Sequence, residues 1–365
     1  MKIIADNFIQ NGEARITASS ANTNYPVTNL SHQFRSKTWR SSGNFTVTSS
    51  NNKINFKDGG AEKTATITSG SYNSTTLSAE IKTQLELLSA DTFTVSFNNG
   101  IWNIASNGTS FELLNATGTN AANSLLKLSL GYADSDRTGA LSYSSPKIAI
   151  HTEEFIKVDL YTTDAIDSVV LLWPKENGLK LSSGAQVYIQ ANPTDNWTSP
   201  AVSQLLTVDN IYSTYSHYFS AAQNYRYWRV VIIDPTNAYL YVDLGLLILG
   251  KAESIEVADK GFTFTTEDTS IVTRTAYGNE YVDEYPTINT LEIGLSTIDY
   301  SDATMLEEMY KLNGTRKPVY VALDQTASVF SKNHFSIYGK MQSNFQIGQV
   351  NYDIFDTKLT IREIL

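Results

Sequence analysis

Four histidines, His32, His151, His217 and His334, are the first residues to weigh as bases or metal ligands. Their spacing supplies no His-x-x-x-His pair, the arrangement that sets two imidazoles on one helical face for zinc. No Gly-x-Ser-x-Gly elbow presents a serine nucleophile, and no glycine-rich loop is laid out to cradle phosphate. His151 stands near Glu153 and Glu154, a ligand-like set whose simpler reading is a solvated strand entry. Asp164 with Asp167, and Glu307 with Glu308, are carboxylate pairs of an ordinary surface kind. A glycosidase pair is close in space and not in sequence, so the 37 acidic residues leave that chemistry open. The sequence therefore points to no catalytic residue, no metal ligand and no cofactor.

Tryptophans offer a different chemistry, stacking on the apolar face of a sugar. Trp173 and Trp228 sit inside apolar strand-like runs, and with Trp39 they read as core. Trp197 lies in the turn-rich stretch Thr194-Asp195-Asn196-Trp197-Thr198-Ser199-Pro200 and is the candidate exposed contact. A loop tryptophan also serves to plug the end of a sandwich or to meet a protein partner.

The elements that must position these groups are mostly β. The chain has 365 residues, enough for two or three domains. Charged residues make up 18%, and Ser, Thr, Asn and 21 Tyr fill the gap, a composition suited to short strands and turns. Alternating or apolar runs at 155–160, 168–173, 187–190, 227–233 and 240–249 predict strands. The run 168–173, stopped by Pro174, predicts a strand buried on both faces. Residues 14–43 read as a short strand, a loop and another short strand, with 16–20, the turn-rich 21–26, 27–30 and 37–41 in that order, and residues 250–252 read as a linker. Leu77, Ile81, Leu85 and Leu88 share one helical face behind a Ser/Thr cap at 74–76. Phe93, Val95 and Phe97 alternate before Asn98-Asn99-Gly100, which predicts a hairpin. Residues 121–130 predict a short helix ended by Gly131, and residues 300–312 a second one. Strands are expected at 287–295, 319–323, 335–341 and 352–363.

A net charge of −10 without a basic run argues against a nucleic-acid partner. The absence of cysteine rules out disulfides and thiolate zinc and is compatible with assembly in a reducing cytoplasm. No apolar stretch is long enough for a membrane-spanning helix, and the first residues do not read as a secretion signal.

Several stretches resemble the discoidin (F5/8 type C) family. They are Ile16-Thr17-Ala18-Ser19-Ser20, Tyr25-Pro26-Val27-Thr28-Asn29-Leu30, Thr38-Trp39-Arg40-Ser41, Phe155–Leu160, Tyr225–Ile232 and Tyr241–Gly250. The resemblance implies a galactose-binding-like jelly-roll sandwich, split in sequence. The resemblance implies end loops that often bind sugars or lipids, sometimes beside a structural calcium. Here the loop before Trp39 reads Ser31-His32-Gln33-Phe34-Arg35-Ser36, without the acidic ligand a hard cation needs. Residues 45–145 are similar to an insertion found in phage tail and fibre proteins. Residues 318–324 and 338–341 resemble the ends of siphophage tail-tip proteins.

The expected architecture is mainly β. A jelly-roll sandwich of residues 1–44 plus 146–250 is interrupted by a small α+β domain at 45–145 and followed by a mixed α/β domain at 251–365. The resemblance implies a structural protein of a long-tailed phage virion, in the tail tip, baseplate or adaptor. It would be assembled in the host cytoplasm as a homo-oligomeric ring with other tail proteins. The alternative is a carbohydrate-binding adhesin that recognises a host-surface glycan.

Overall fold

A computed structural model describes the chain apart from residues 43, 99–100, 146–152, 176–178, 209–211, 235–236, 238, 240, 256–260, 276, 324–334 and 343–344. His151, His334, the hairpin turn at 99–100 and the start of the 240–249 run lie outside the described residues. The fold is mainly β, with sandwiched sheets and few helices.

Two long antiparallel strands, Glu154–Leu172 and Thr214–Ile233, form the spine of the sandwich. The first merges two runs that the sequence suggests as separate strands. Its early half is flanked by Arg15–Ala18, and its late half by Leu246–Gly250. Between the halves the register shifts at Asp159/Asp164 and again at Ile166/Ser168. Such bulges bend a strand and increase its twist, so one strand pair can supply both layers. Ile156 and Val158 from the early half share a core with Val169 and Leu171 from the late half, around Trp39, Trp173 and Trp228. The late half is buried on both faces. Val170 and Leu172 point away from that core, against Ile4, Tyr320, Ala322 and Tyr338.

Within the strand–loop–strand expected over 14–43, residues 27–31 form a 3-10 helix, Val27–Ser31. Pro26 fixes the entry backbone, and Asn29 N–H donates to Pro26 O at 3.1 Å, closing a turn where an extended ladder has no partner. Leu30 is the buried plug of that turn.

The stretch 45–143 has a hydrophobic cluster of its own, including Phe45, Phe56, Phe93, Trp102 and Tyr143. Leu77, Ile81 and Leu85 of the helix Ser74–Glu86 pack into it. Asn73 caps this helix together with Thr76, one residue before the run that the sequence suggests. Leu88 falls past the helix end and is exposed. The helix expected at 121–130 breaks into a 3-10 turn, Ala121–Asn123, and one α turn, Leu125–Leu128. Ser124 interrupts it by turning its side chain to the Lys127 N–H.

The C-terminal residues build an eight-stranded sheet covered by the helix Tyr300–Asn313. Lys2–Ile4, grouped by sequence with the sandwich, pairs instead with Val319–Ala322 and Glu253–Ser254 of this sheet. The linker expected at 250–252 is a tight connection. Gly250 ends a strand, and Ala252 N–H donates to Asp167 Oδ1 at 2.7 Å. From the sheet edge Phe262–Glu267, the ribbon Ile271–Arg274/Glu280–Asp283 runs outward with every residue exposed.

Candidate functional site

Trp39 and Arg40 are neighbours on a two-residue strand, so their side chains take opposite directions. Trp39 goes into the core, its indole N–H donating to Ser20 O at 2.9 Å. Arg40 therefore faces outward at one end of the sandwich. Its backbone is clipped on both sides: Arg40 N–H donates to Tyr25 O, and Asn22 N–H donates to Arg40 O. Across the strand pair, Arg40 lies opposite Asp243.

The Arg40 guanidinium is held between two rings, 4.4 Å from the centroid of Tyr25 and 3.9 Å from that of Tyr241. Stacking of this kind suits arginine because its planar cation is weakly hydrated. Lys180 Nζ donates to the Tyr241 hydroxyl at 2.8 Å and lies 5.8 Å from the Tyr239 ring. Asn237 ties this corner together, donating to Lys180 O and to Tyr241 O, both at 3.1 Å. Tyr25 and Tyr239 remain exposed.

Asp243 is 1% exposed. One oxygen, Oδ2, faces Arg40 at 3.3 Å. The other, Oδ1, has no hydrogen-bond partner among the described residues, and neither has Arg40 Nε. Burial raises the Asp243 carboxyl above the usual carboxylate range, against the opposing pull of Arg40 and Lys180. A buried acceptor and a buried donor left unanswered are costly in an apolar setting. The cavity at this point has a volume of about 200 Å³.

The loop at 31–36 carries its own buried cation. Arg35 is buried and donates to the carbonyls of Trp173 and Ser213. It faces Glu363 at 3.6 Å. Burial pulls its pKa down to about 10, against the charge of Glu363.

Trp197 is half-buried. Its loop folds back over the outer face of the sheet, where the Arg229 guanidinium lies 4.7 Å from the ring centroid. The indole N–H donates to Asp195 Oδ1 at 2.6 Å, and Asp195 pairs with Lys157 at 2.8 Å. Part of the ring stays accessible beside this charged cluster.

The other groups considered in the sequence are not drawn together. His32 is exposed, and His217 packs edge-on against Phe219 at 4.6 Å. Glu154 accepts from the hydroxyls of Ser19 and Ser20, a structural role. Asp164 accepts from Thr162, and Glu307 pairs with Lys311 along the helix. Among the described residues, no three His, Asp or Glu side chains converge as a metal site would require.

No protein-family model matches the chain, and no curated protein matches it. Solved structures do. One is a family 32 carbohydrate-binding module from C. perfringens NanJ in complex with galactose, at 7% identity and a TM-score of 0.32, covering 69% of this chain and 100% of that one. A second is a CBM32 module from Clostridium perfringens in complex with GalNAc-beta-1,3-galactose, at 7% identity and a TM-score of 0.31, covering 67% of this chain and all of that one. A third is the lectin domain of Lectinolysin complexed with Lewis B antigen, at 17% identity and a TM-score of 0.23, over 28% of this chain and 70% of that one. The overlap at these scores is loose, and the functional reading rests on this chain's own side chains.

Sequence reasoning singled out Trp197 and did not single out Tyr25, Arg40, Tyr241 and Asp243 as a group. One signal was available. Asp243 is the lone carboxylate at the head of the apolar run that ends at Leu249, a position where burial of a charge needs a reason.

Proposed function

We propose that the protein is a non-catalytic, carbohydrate-binding adhesin that seats a host-surface glycan at the Tyr25–Arg40–Asp243 end of the sandwich. The observation that supports this reading is the Arg40 guanidinium stacked on the exposed ring of Tyr25 at the mouth of a cavity of about 200 Å³. A sugar ring presents an apolar C–H face and hydroxyls that both donate and accept. Tyr25 offers the platform and Arg40, held by its ion pair with Asp243, the donor. Trp197 stays in the proposal as an accessory contact on the outer face of the sheet. A glycan array probed with the full chain and with Tyr25→Ala tests the proposal. Defined glycans bound by the parent and bound more weakly by the variant support it, and an array blank for both discards it.

A second reading, a structural component of a long-tailed phage tail, is favoured by the ribbon at 271–283. Ile271, Val272, Tyr281 and Val282 are all exposed on it. A two-stranded ribbon with no third strand gains stability by docking on a partner. In this reading the chain joins other tail proteins as a ring in the virion, and the adhesin site faces outward. Immunogold electron microscopy of purified virions, with antibodies against residues 45–145, tests it. Label at a fixed position on the tail supports it. Unlabelled virions and disrupted tails, with the protein still detected in infected cells, reject it.

A further inference from the structure

The strand Phe262–Glu267 ends the eight-stranded sheet. One side of it pairs with Ile288–Ile298 in a continuous register, from Phe262↔Ile293 to Glu267↔Ile288. Among the described residues no strand lies along its other side. That side presents a row of backbone N–H and C=O groups to any strand that can pair with it. Sheets usually guard such an edge with a lysine, a proline, a bulge or a very short strand. The opposite edge of this sheet is guarded, because Glu253–Ser254 is only two residues long. Phe262-Thr263-Phe264-Thr265-Thr266-Glu267 runs for six residues without proline, lysine or bulge. Its one charge, Glu267, stands at the end and is paired with Arg362 at 3.0 Å.

The side chains of this strand are also left partly uncovered. Phe262 is 43% exposed, although its ring meets that of Phe335 with centroids 5.2 Å apart. Phe264 points to the same face and packs on the core beneath the helix Tyr300–Asn313. Thr263 and Thr265 are exposed on the other face. An antiparallel copy of the same strand matches this pattern. Residues directly opposite in an antiparallel pair share a face. A pairing centred on Phe264 sets Phe264 against Phe264, Thr263 against Thr265 and Phe262 against Thr266. Glu267 then falls opposite Gly261, so no like charges meet.

We infer that Phe262–Glu267 is a self-association edge, to which a second copy of this chain adds its own Phe262–Glu267, antiparallel about a two-fold axis. The two eight-stranded sheets become one. Aromatic and Thr–Thr pairs are among those that stabilise neighbouring strands, and each Phe262 lies diagonal to the partner's Phe264. One strand pair makes a small interface, so the dimer is weak, roughly micromolar. The contact uses neither Tyr25 nor Arg40 and is independent of glycan binding.

Sedimentation velocity of the full chain over a wide concentration range tests it, together with two double variants. Thr263→Lys with Thr265→Lys sets lysine against lysine twice across the axis. Thr263→Lys with Thr265→Glu sets lysine against glutamate twice. Both positions are exposed, so each variant keeps the parent's circular dichroism and melting temperature. The parent shifts from monomer to dimer as concentration rises. The first variant weakens the dimer about tenfold or more, and the second dimerises at least as tightly as the parent. A parent that stays monomeric at every concentration overturns the inference and leaves the edge to a strand of another protein. A dimer that survives in the first variant, or that weakens equally in both, also overturns it, because the contact then lies elsewhere or in another register.

Discussion

The Asp159 carboxylate accepts two hydrogen bonds from the Arg226 guanidinium, at 2.7 and 3.1 Å, at the bend between the two layers of the sandwich. It also accepts from the backbone N–H of Tyr161, whose φ is 61°. A bulky residue with positive φ is unfavourable unless its surroundings hold it there. The ion pair and the turn bond together fix the place where the strand pair changes layer.

Asp159→Asn weakens this bend. Arg226 holds the Asp159 carboxyl below its ordinary value, and the Tyr161 bond acts in the same direction. A depressed carboxyl contributes stability that is complete above its unfolded value, about 3.9, and lost as pH falls through the folded value. Thermal melts from pH 7 to pH 3 should show the variant a few degrees less stable at pH 7. The gap should narrow as the pH falls below about 3.9 toward the acid end. A constant gap across the series contradicts the assignment.

Glu363→Gln opens the seam between sandwich and C-terminal sheet. Glu363 and Arg35 are both nearly buried, and Lys175 shares the same carboxylate. Removing one partner leaves a buried cation without its counter-charge, which costs about 3 kcal/mol or more. Urea unfolding followed by tryptophan fluorescence should show the midpoint fall. An unchanged midpoint means that the Trp173 and Ser213 carbonyls suffice for Arg35.

Gly245 and Gly60 give a paired test of backbone packing. A Cβ on Gly245 meets Arg35 O at 2.3 Å and Leu172 O at 3.1 Å, both backbone atoms. A Cβ on Gly60 meets nothing within 4 Å. Gly245→Ala should cut soluble yield or lower the melting temperature sharply, and Gly60→Ala should do neither. Equal behaviour shows that the Arg35 loop can shift aside.

The sandwich strands were legible because burial is written in the side chains. The run 168–173 is apolar at nearly every position, and the structure buries it between two clusters. The merging of 155–160 with 168–173 was not legible. The intervening Tyr161-Thr162-Thr163-Asp164 carries no apolar pattern, and its first three residues are exposed where Asp159 holds the bend. Strand pairing of Lys2–Ile4 with residues 319–322 is a contact across more than 300 positions, which no local pattern encodes. The same holds for the candidate site. Tyr25, Arg40 and Asp243 come together only because Trp39–Arg40 pairs with Asp243–Leu244.

Tyr25→Ala and Trp197→Ala separate the two aromatic contacts. Tyr25 is exposed and covers one face of Arg40, so its loss removes the platform and frees the guanidinium. Loss of a stacking ring costs roughly 1 kcal/mol beyond area burial, a change of about fivefold or more in affinity. Trp197 already spends one side on Arg229 and its N–H on Asp195. Its loss should lower glycan affinity less, about twofold, and should also loosen the loop that Asp195 and Lys157 anchor. Array binding with both variants, alongside limited proteolysis of the 193–201 loop, reads the two effects apart. If Trp197→Ala abolishes binding and Tyr25→Ala spares it, the glycan sits on the outer face of the sheet and the Arg40 cavity serves another ligand.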